Sequence, residues 1–178
     1  MTDWPSPQTV ASGTSLEDVY LQSLWDLHAA AAIMRIKLIE MVAAVSDHRL
    51  ATVLREGRSS VGTALDGLDQ ITHQFHAPAR SHAEELETLT GYAARQIPGM
   101  PPGRVRDVAV ASTVRLAAHY AMPLYELCEL LAGTLGYSEH VVAIKRLGTT
   151  VRNFDTTVWS AIGEIVSGRG GADESGGT

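Results

Sequence analysis

A chain of 178 residues with 45% apolar and 19% charged side chains fits one folded domain, and it excludes both a two-domain arrangement and a charge-dense disordered polymer. Fourteen Lys and Arg against twenty Asp and Glu give a formal charge of -6, which opposes a nucleic-acid backbone or an anionic membrane, so neither is expected as a partner. Cys128 is the single cysteine and closes no internal disulfide; with no apolar run near ~20 residues and no basic, apolar leader at the start, a cytoplasmic protein is expected.

Residues 1–14, punctuated by Pro5, Pro7 and Gly13, carry no sustained period and read as a flexible arm. Ser15 is a helix start: its hydroxyl can accept from the Asp18 N–H, and Glu17 and Asp18 place negative charge at the positive end of the helix dipole. Leu16, Tyr20, Leu24, Leu27, Ala31, Met34, Leu38 and Met41 then recur at three and four residues along one helical face. Ser46 or Asp47 separates this helix from a second, with Leu50, Leu54, Val61, Leu65, Leu68 and Ile71 on its stripe. Gly57, Gly62 and Gly67 each lower that helix's propensity by ~1 kcal/mol relative to Ala, so packing must hold it.

Pro78 interrupts the pattern, and residues 81–96 form a shorter amphipathic segment before the Pro- and Gly-rich breaker at 97–103. A third long helix carries Val108, Val114, Ala118, Tyr125 and Cys128 and should be disturbed at Pro123. It ends at Gly136, a candidate left-handed cap. The fourth helix, Ser138 to about Val166, repeats Val141, Ile144, Gly148, Val151, Asp155, Val158 and Ile162, and the Gly-rich residues 167–178 are expected to be disordered. The pattern predicts an all-α four-helix bundle over 15–166, with a short extra helix between helices 2 and 3.

Four stretches share their order and loop positions with a known family: Leu16 to Asp26, Val105 to Ala109, His119-Tyr120, and Leu131 to Tyr137. In these the chain resembles the YciE/YciF type of ferritin-like protein. The resemblance implies a ferritin-like bundle, a homodimer, a link to stress responses, and carboxylate and histidine ligands for a di-metal centre. Such a centre needs inward Glu residues and Glu-x-x-His pairs, because i and i+3 share a helix face. At the positions the resemblance assigns to ligands, this chain has Ala31 on the first helix, Ser59 and Gly62 on the second, and Ala118 and Ala121 around His119-Tyr120 on the third. The fourth has Thr149-Thr150-Val151, with Asp155 the one carboxylate kept. No Glu-x-x-His occurs on a long helix, so no metal and no cofactor are expected.

The substitutes are small, which predicts room at the centre of the bundle. One reading is a metal-free pocket for a small, mostly apolar molecule, lined by Ala31, Ser59, Gly62, Ala118, Ala121 and Thr150, with Arg35 and Arg55 reaching in and turnover by Asp155 and His119 as an isomerase or cyclase. Asp155 would pair with Arg35 across the pocket or with Arg152 on its own helix. The alternative is a non-catalytic relic that acts as a dimeric, stress-related or partner-binding protein. Other candidates read as ordinary structure: His73 and His76 at a helix end, Cys128 as a small buried hydrophobe, His28 and His140 at the rim, and Trp25 and Trp159 just off the inward stripes.

Overall fold

The computed structural model describes residues 15–75, 86, 88, 90–91 and 95–168, and everything below concerns these. Helix α1 (Leu16–Ala44) begins at a reciprocal cap, in which the Ser15 hydroxyl accepts from the Asp18 N–H at 3.1 Å and the Asp18 carboxylate accepts from the Ser15 N–H at 2.8 Å. Asp47 caps α2 (His48–Thr72) by accepting from the Leu50 N–H at 2.7 Å. Described residues 86, 88, 90–91 and 95–96 are helical and lead into a 3₁₀ turn at Ile97–Gly99, which matches the short extra helix expected before the breaker. Gly103, at φ 128°, admits the chain to α3 (Arg104–Leu135), and Gly136, at φ 82°, closes it in the left-handed conformation. Helix α4 (Ser138–Ser167) ends on a second left-handed glycine, Gly168. The expected arm at 1–14 and most of the expected tail lie outside the described residues.

Pro123 does not break α3, which runs on through it. The proline sits on the exposed side of the helix, so the His119 carbonyl it leaves without a donor can be satisfied by water.

Helix α1 packs beside α2 and α3, and α4 packs beside α3 and α2. Both short connections, 45–47 and 136–137, reverse the chain. The third connection, residues 73–103, returns from one end of the bundle to the other, a distance set by α2 at about 37 Å. The apolar stripes meet in two halves of one core. Leu38, Leu50, Leu54, Val110 and Val158 fill the half nearer the α1–α2 turn, where Leu86 and Ile97 of the long connection also anchor. Tyr20, Leu24, Leu68, Cys128 and Ile144 fill the other.

Each end of the bundle is tied by a buried polar group. Asp107, in the first turn of α3 and 2% exposed, accepts from the backbone N–H groups of Ser46 (2.7 Å) and Asp47 (3.0 Å). One carboxylate thus fixes the start of α3 on the α1–α2 turn. At the other end His140 is buried rather than at the rim. Its Nδ1 accepts from the Tyr20 hydroxyl at 3.0 Å, and its Nε2 donates to Gln74 Oε1 at 3.0 Å. Phe75 and Tyr137 pack around the same ring. Both contacts suit a neutral imidazole, and desolvation, opposed weakly by Glu139, holds the His140 pKa below its ordinary 6.5.

Two outcomes are expected. Asp107→Ala leaves the partly buried Ser46 and Asp47 N–H groups without their carboxylate and should lower stability by about 1–3 kcal/mol in urea unfolding, with helical content retained. The His140 contribution is complete above pH 6.5, where the imidazole is neutral in both states, and is lost as pH falls through its lower folded value. The gap in melting temperature between wild type and His140→Gln should therefore narrow between about pH 7.5 and about pH 5.

Candidate functional site

The two halves of the core meet at mid-height, where the sequence led us to expect room. The space there is a partly open pocket of about 40 Å³. Ala31 of α1 and Ala118 and Ala121 of α3 line it as expected. On α2 the lining residues are Val61 and Ala64, one helical turn apart, while Ser59 and Gly62 face an outer groove. On α4 they are Val151 and Phe154; Thr150 lies off the cavity and donates its hydroxyl to the Arg146 carbonyl. The correction on α2 has a simple cause: Val61 shares the stripe of Leu54, Leu65 and Leu68, and positions 59 and 62 lie on the opposite side of that helix.

The residue sequence reasoning missed is Phe154. With Met34 and Tyr125, which stand on the apolar stripes already read, it walls the cavity beside the alanines. A Cβ at Gly57 would collide with the Phe154 ring, so α2 presents bare backbone to accept it. Gly57 was the available signal, since a mid-helix glycine on an apolar stripe implies a bulky neighbour opposite.

A di-metal centre of the kind the ferritin-like fold can hold does not fit these residues. The cavity wall offers no carboxylate and no imidazole; the phenol of Tyr125 and the thioether of Met34 are its only side-chain heteroatoms. No group of three or more His, Cys, Asp or Glu that could hold a metal ion occurs among the described residues. Burial pushes the Cys128 thiol up to about 12, so it sits in the core as a protonated, unreactive side chain.

Asp155 is one residue beyond Phe154, and that step of about 100° turns it out of the bundle core into the α3–α4 groove. Its partner is neither Arg35 nor Arg152. Arg115 of α3 donates from Nε to Oδ1 (2.8 Å) and from Nη2 to Oδ2 (3.2 Å), and His119, one turn further along α3, stands 3.3 Å from Oδ2. The Arg115 guanidinium in turn lies 4.4 Å over the exposed Trp159 ring. Arg152 is held instead by Glu126, at 2.7 Å. Desolvation pushes the Asp155 carboxyl up, but the hydrogen bonds and charges of Arg115 and His119 outweigh it and leave its pKa below the ordinary 3.8. That is the wrong direction for a general acid near neutral pH.

Of the remaining sequence candidates, Arg35 and Arg55 lie with Ser59 and Gly62 in the outer α1–α2 groove, away from the central cavity. His28 pairs with Asp69 at 2.7 Å, and the His73 ring contacts the Asp69 carbonyl near the end of α2. His76 lies outside the described residues.

The fold and the chain can now be placed among known proteins. Residues 15–167 match the model of a domain of unknown function, DUF892. The chain belongs to this family. The stress protein YciF of E. coli superposes with a TM-score of 0.81 at 20% identity, covering 86% of this chain and 98% of that one. YcfI of Rhodopseudomonas palustris, provisionally described as a structural protein, superposes at 0.79 with 18% identity and the same coverage. A search of curated proteins returned no match. The bundle is thus a ferritin-like one of the YciF type, and no helix among the described residues is long and apolar enough to cross a membrane.

Asp155→Asn should cost about 1 kcal/mol in urea unfolding, because a two-point, partly buried pair exceeds an ordinary surface ion pair. Arg152→Gln should stay within ~0.5 kcal/mol. With the Asp155 pKa lowered in the folded state, the difference from Asp155→Asn should persist down to about pH 3.8 and vanish as pH falls through the folded value.

Proposed function

We propose that this protein is a non-catalytic ferritin-like bundle that works through its outer surface, as a structural or partner-binding member of its family. The observation that carries this reading is the central cavity: about 40 Å³, walled almost wholly by apolar side chains, with no carboxylate or imidazole on its wall. An engineered apolar cavity that accepts benzene is nearer 150 Å³, so a mostly apolar substrate would need this core to repack. Asp155 and His119, the candidate acid–base pair, are engaged with Arg115 in the α3–α4 groove. The descriptions of YciF as a stress protein and of YcfI as provisionally structural fit a role that needs no turnover.

The cavity itself supplies the test. Val61→Ile adds one methylene to its wall, and filling that space should raise stability by up to ~1 kcal/mol, about 2–4 °C in melting temperature. Benzene or indole at millimolar concentration should leave the melting temperature of the wild type unchanged. A saturable rise with either probe that Val61→Ile abolishes would replace this reading with a core-ligand one.

A further inference from the structure

On the outer side of α1 and α2, Arg35, Arg55 and Arg58 surround a groove of about 450 Å³ together with Ser59, Gly62 and Asp66. Arg49, Arg115 and Arg152, on other faces, are each paired with a carboxylate. The three groove arginines make no ion pair and no side-chain hydrogen bond among the described residues. Arg55 and Arg58 stand three apart on one helix, where like charges oppose each other. In a chain of net charge -6, three guanidinium groups facing one carboxylate are a local reversal of sign.

A second observation falls in the same groove. Packing within the bundle explains two of the three glycines of α2: a Cβ at Gly57 would strike Phe154, and one at Gly67 would press on Leu147 at 3.3 Å. A Cβ at Gly62 would meet nothing within 4 Å, and Gly62 is not among the glycines with positive φ. Glycine in a helix interior costs ~1 kcal/mol relative to Ala, and at Gly62 neither packing nor backbone geometry requires it. What the missing side chain keeps open is the groove beside the arginines.

We infer that this groove binds one phosphate group, either free or as the head of a small phosphate monoester. Guanidinium forks match tetrahedral oxyanions with paired N–H donors, and the Ser59 hydroxyl adds a neutral donor. Asp66 repels a second anionic group and can accept from a ligand hydroxyl, which suits a singly phosphorylated compound. A nucleic acid is repelled by the rest of the surface. The inference does not depend on the central cavity, and the Val61→Ile test leaves it untouched.

Titration calorimetry of the full-length protein with inorganic phosphate and with glycerol 1-phosphate, at constant ionic strength in chloride, tests it. Saturable one-to-one binding is expected, weakened about 10-fold or more in Arg35→Gln, Arg55→Gln and Arg58→Gln. Gly62→Leu, which keeps every charge but fills the groove, should abolish it, and Asp155→Asn should not change it. Tighter binding of glycerol 1-phosphate assigns the site to a phosphorylated compound, and equal binding assigns it to phosphate itself. Absence of saturable heat with both probes overturns the inference. So does affinity that survives the triple Arg→Gln substitution, or that is unaltered in a folded Gly62→Leu protein, since diffuse charge would then account for the binding.

Discussion

The Phe154 ring of α4 lies against the bare backbone of Gly57 on α2, and this one contact decides what the middle of the bundle is. A ferritin-like bundle places four inward helical faces around its centre, and something must fill or bridge that space. Here an aromatic ring does so, seated where a glycine lets the helix backbone come close. The alanines on α1 and α3 then complete a dry wall, and only about 40 Å³ is left. The same contact sets the rotation of α4: with Phe154 inward, Asp155 is turned into the α3–α4 groove, where Arg115 captures it.

With no polar group holding the middle, the polar work is done at the ends. Asp107 holds α3 to the α1–α2 turn, and the Tyr20–His140–Gln74 chain holds α1, α4 and the start of the long connection together. Both are buried hydrogen-bonded groups flanking the apolar core, where loss of a partner leaves an uncompensated polar atom. They fix the relative height of the helices, which the largely sliding contacts of Leu, Val and Ala stripes specify weakly.

Both charged clusters, around Asp155 and in the α1–α2 groove, lie on the outer faces of the bundle. The Arg115–Asp155–His119–Trp159 cluster is internally satisfied and reads as a strut between α3 and α4. The α1–α2 groove differs in kind, because its three arginines form no ion pair among the described residues and face one carboxylate, Asp66, and because its helix carries a glycine, Gly62, that packing does not require. The space between the helices is walled by apolar side chains, and the distinctive polar features are on the surface.

The local signals were legible in the sequence because they are local. Ser15 with Asp18, Asp47 before Leu50, and Gly136 act within a few residues of themselves, and the period of three and four alone gave the four helices and their inward faces. What the sequence left open were quantities that depend on which side of one helix meets which side of another. The resemblance put Ser59 and Gly62 at inward ligand positions, although the apolar period of the same helix already turned Val61 inward; an offset of two residues turns a helix by about 200°, and the packing shows that the period was the better guide. Sequence reasoning took small residues for empty space, but volume at the centre is shared among four helices, and on the fourth Phe154, not on the expected stripe, takes part of it. It put His140 at the rim, though the turn between α3 and α4 folds that ring under Tyr20 and Phe75. Composition and period determine that this chain is a four-helix bundle with an apolar core; only the tertiary structure, by choosing which side chain fills a space contributed by several helices at once, decided that Phe154 occupies its centre and that Asp155 is turned out to Arg115.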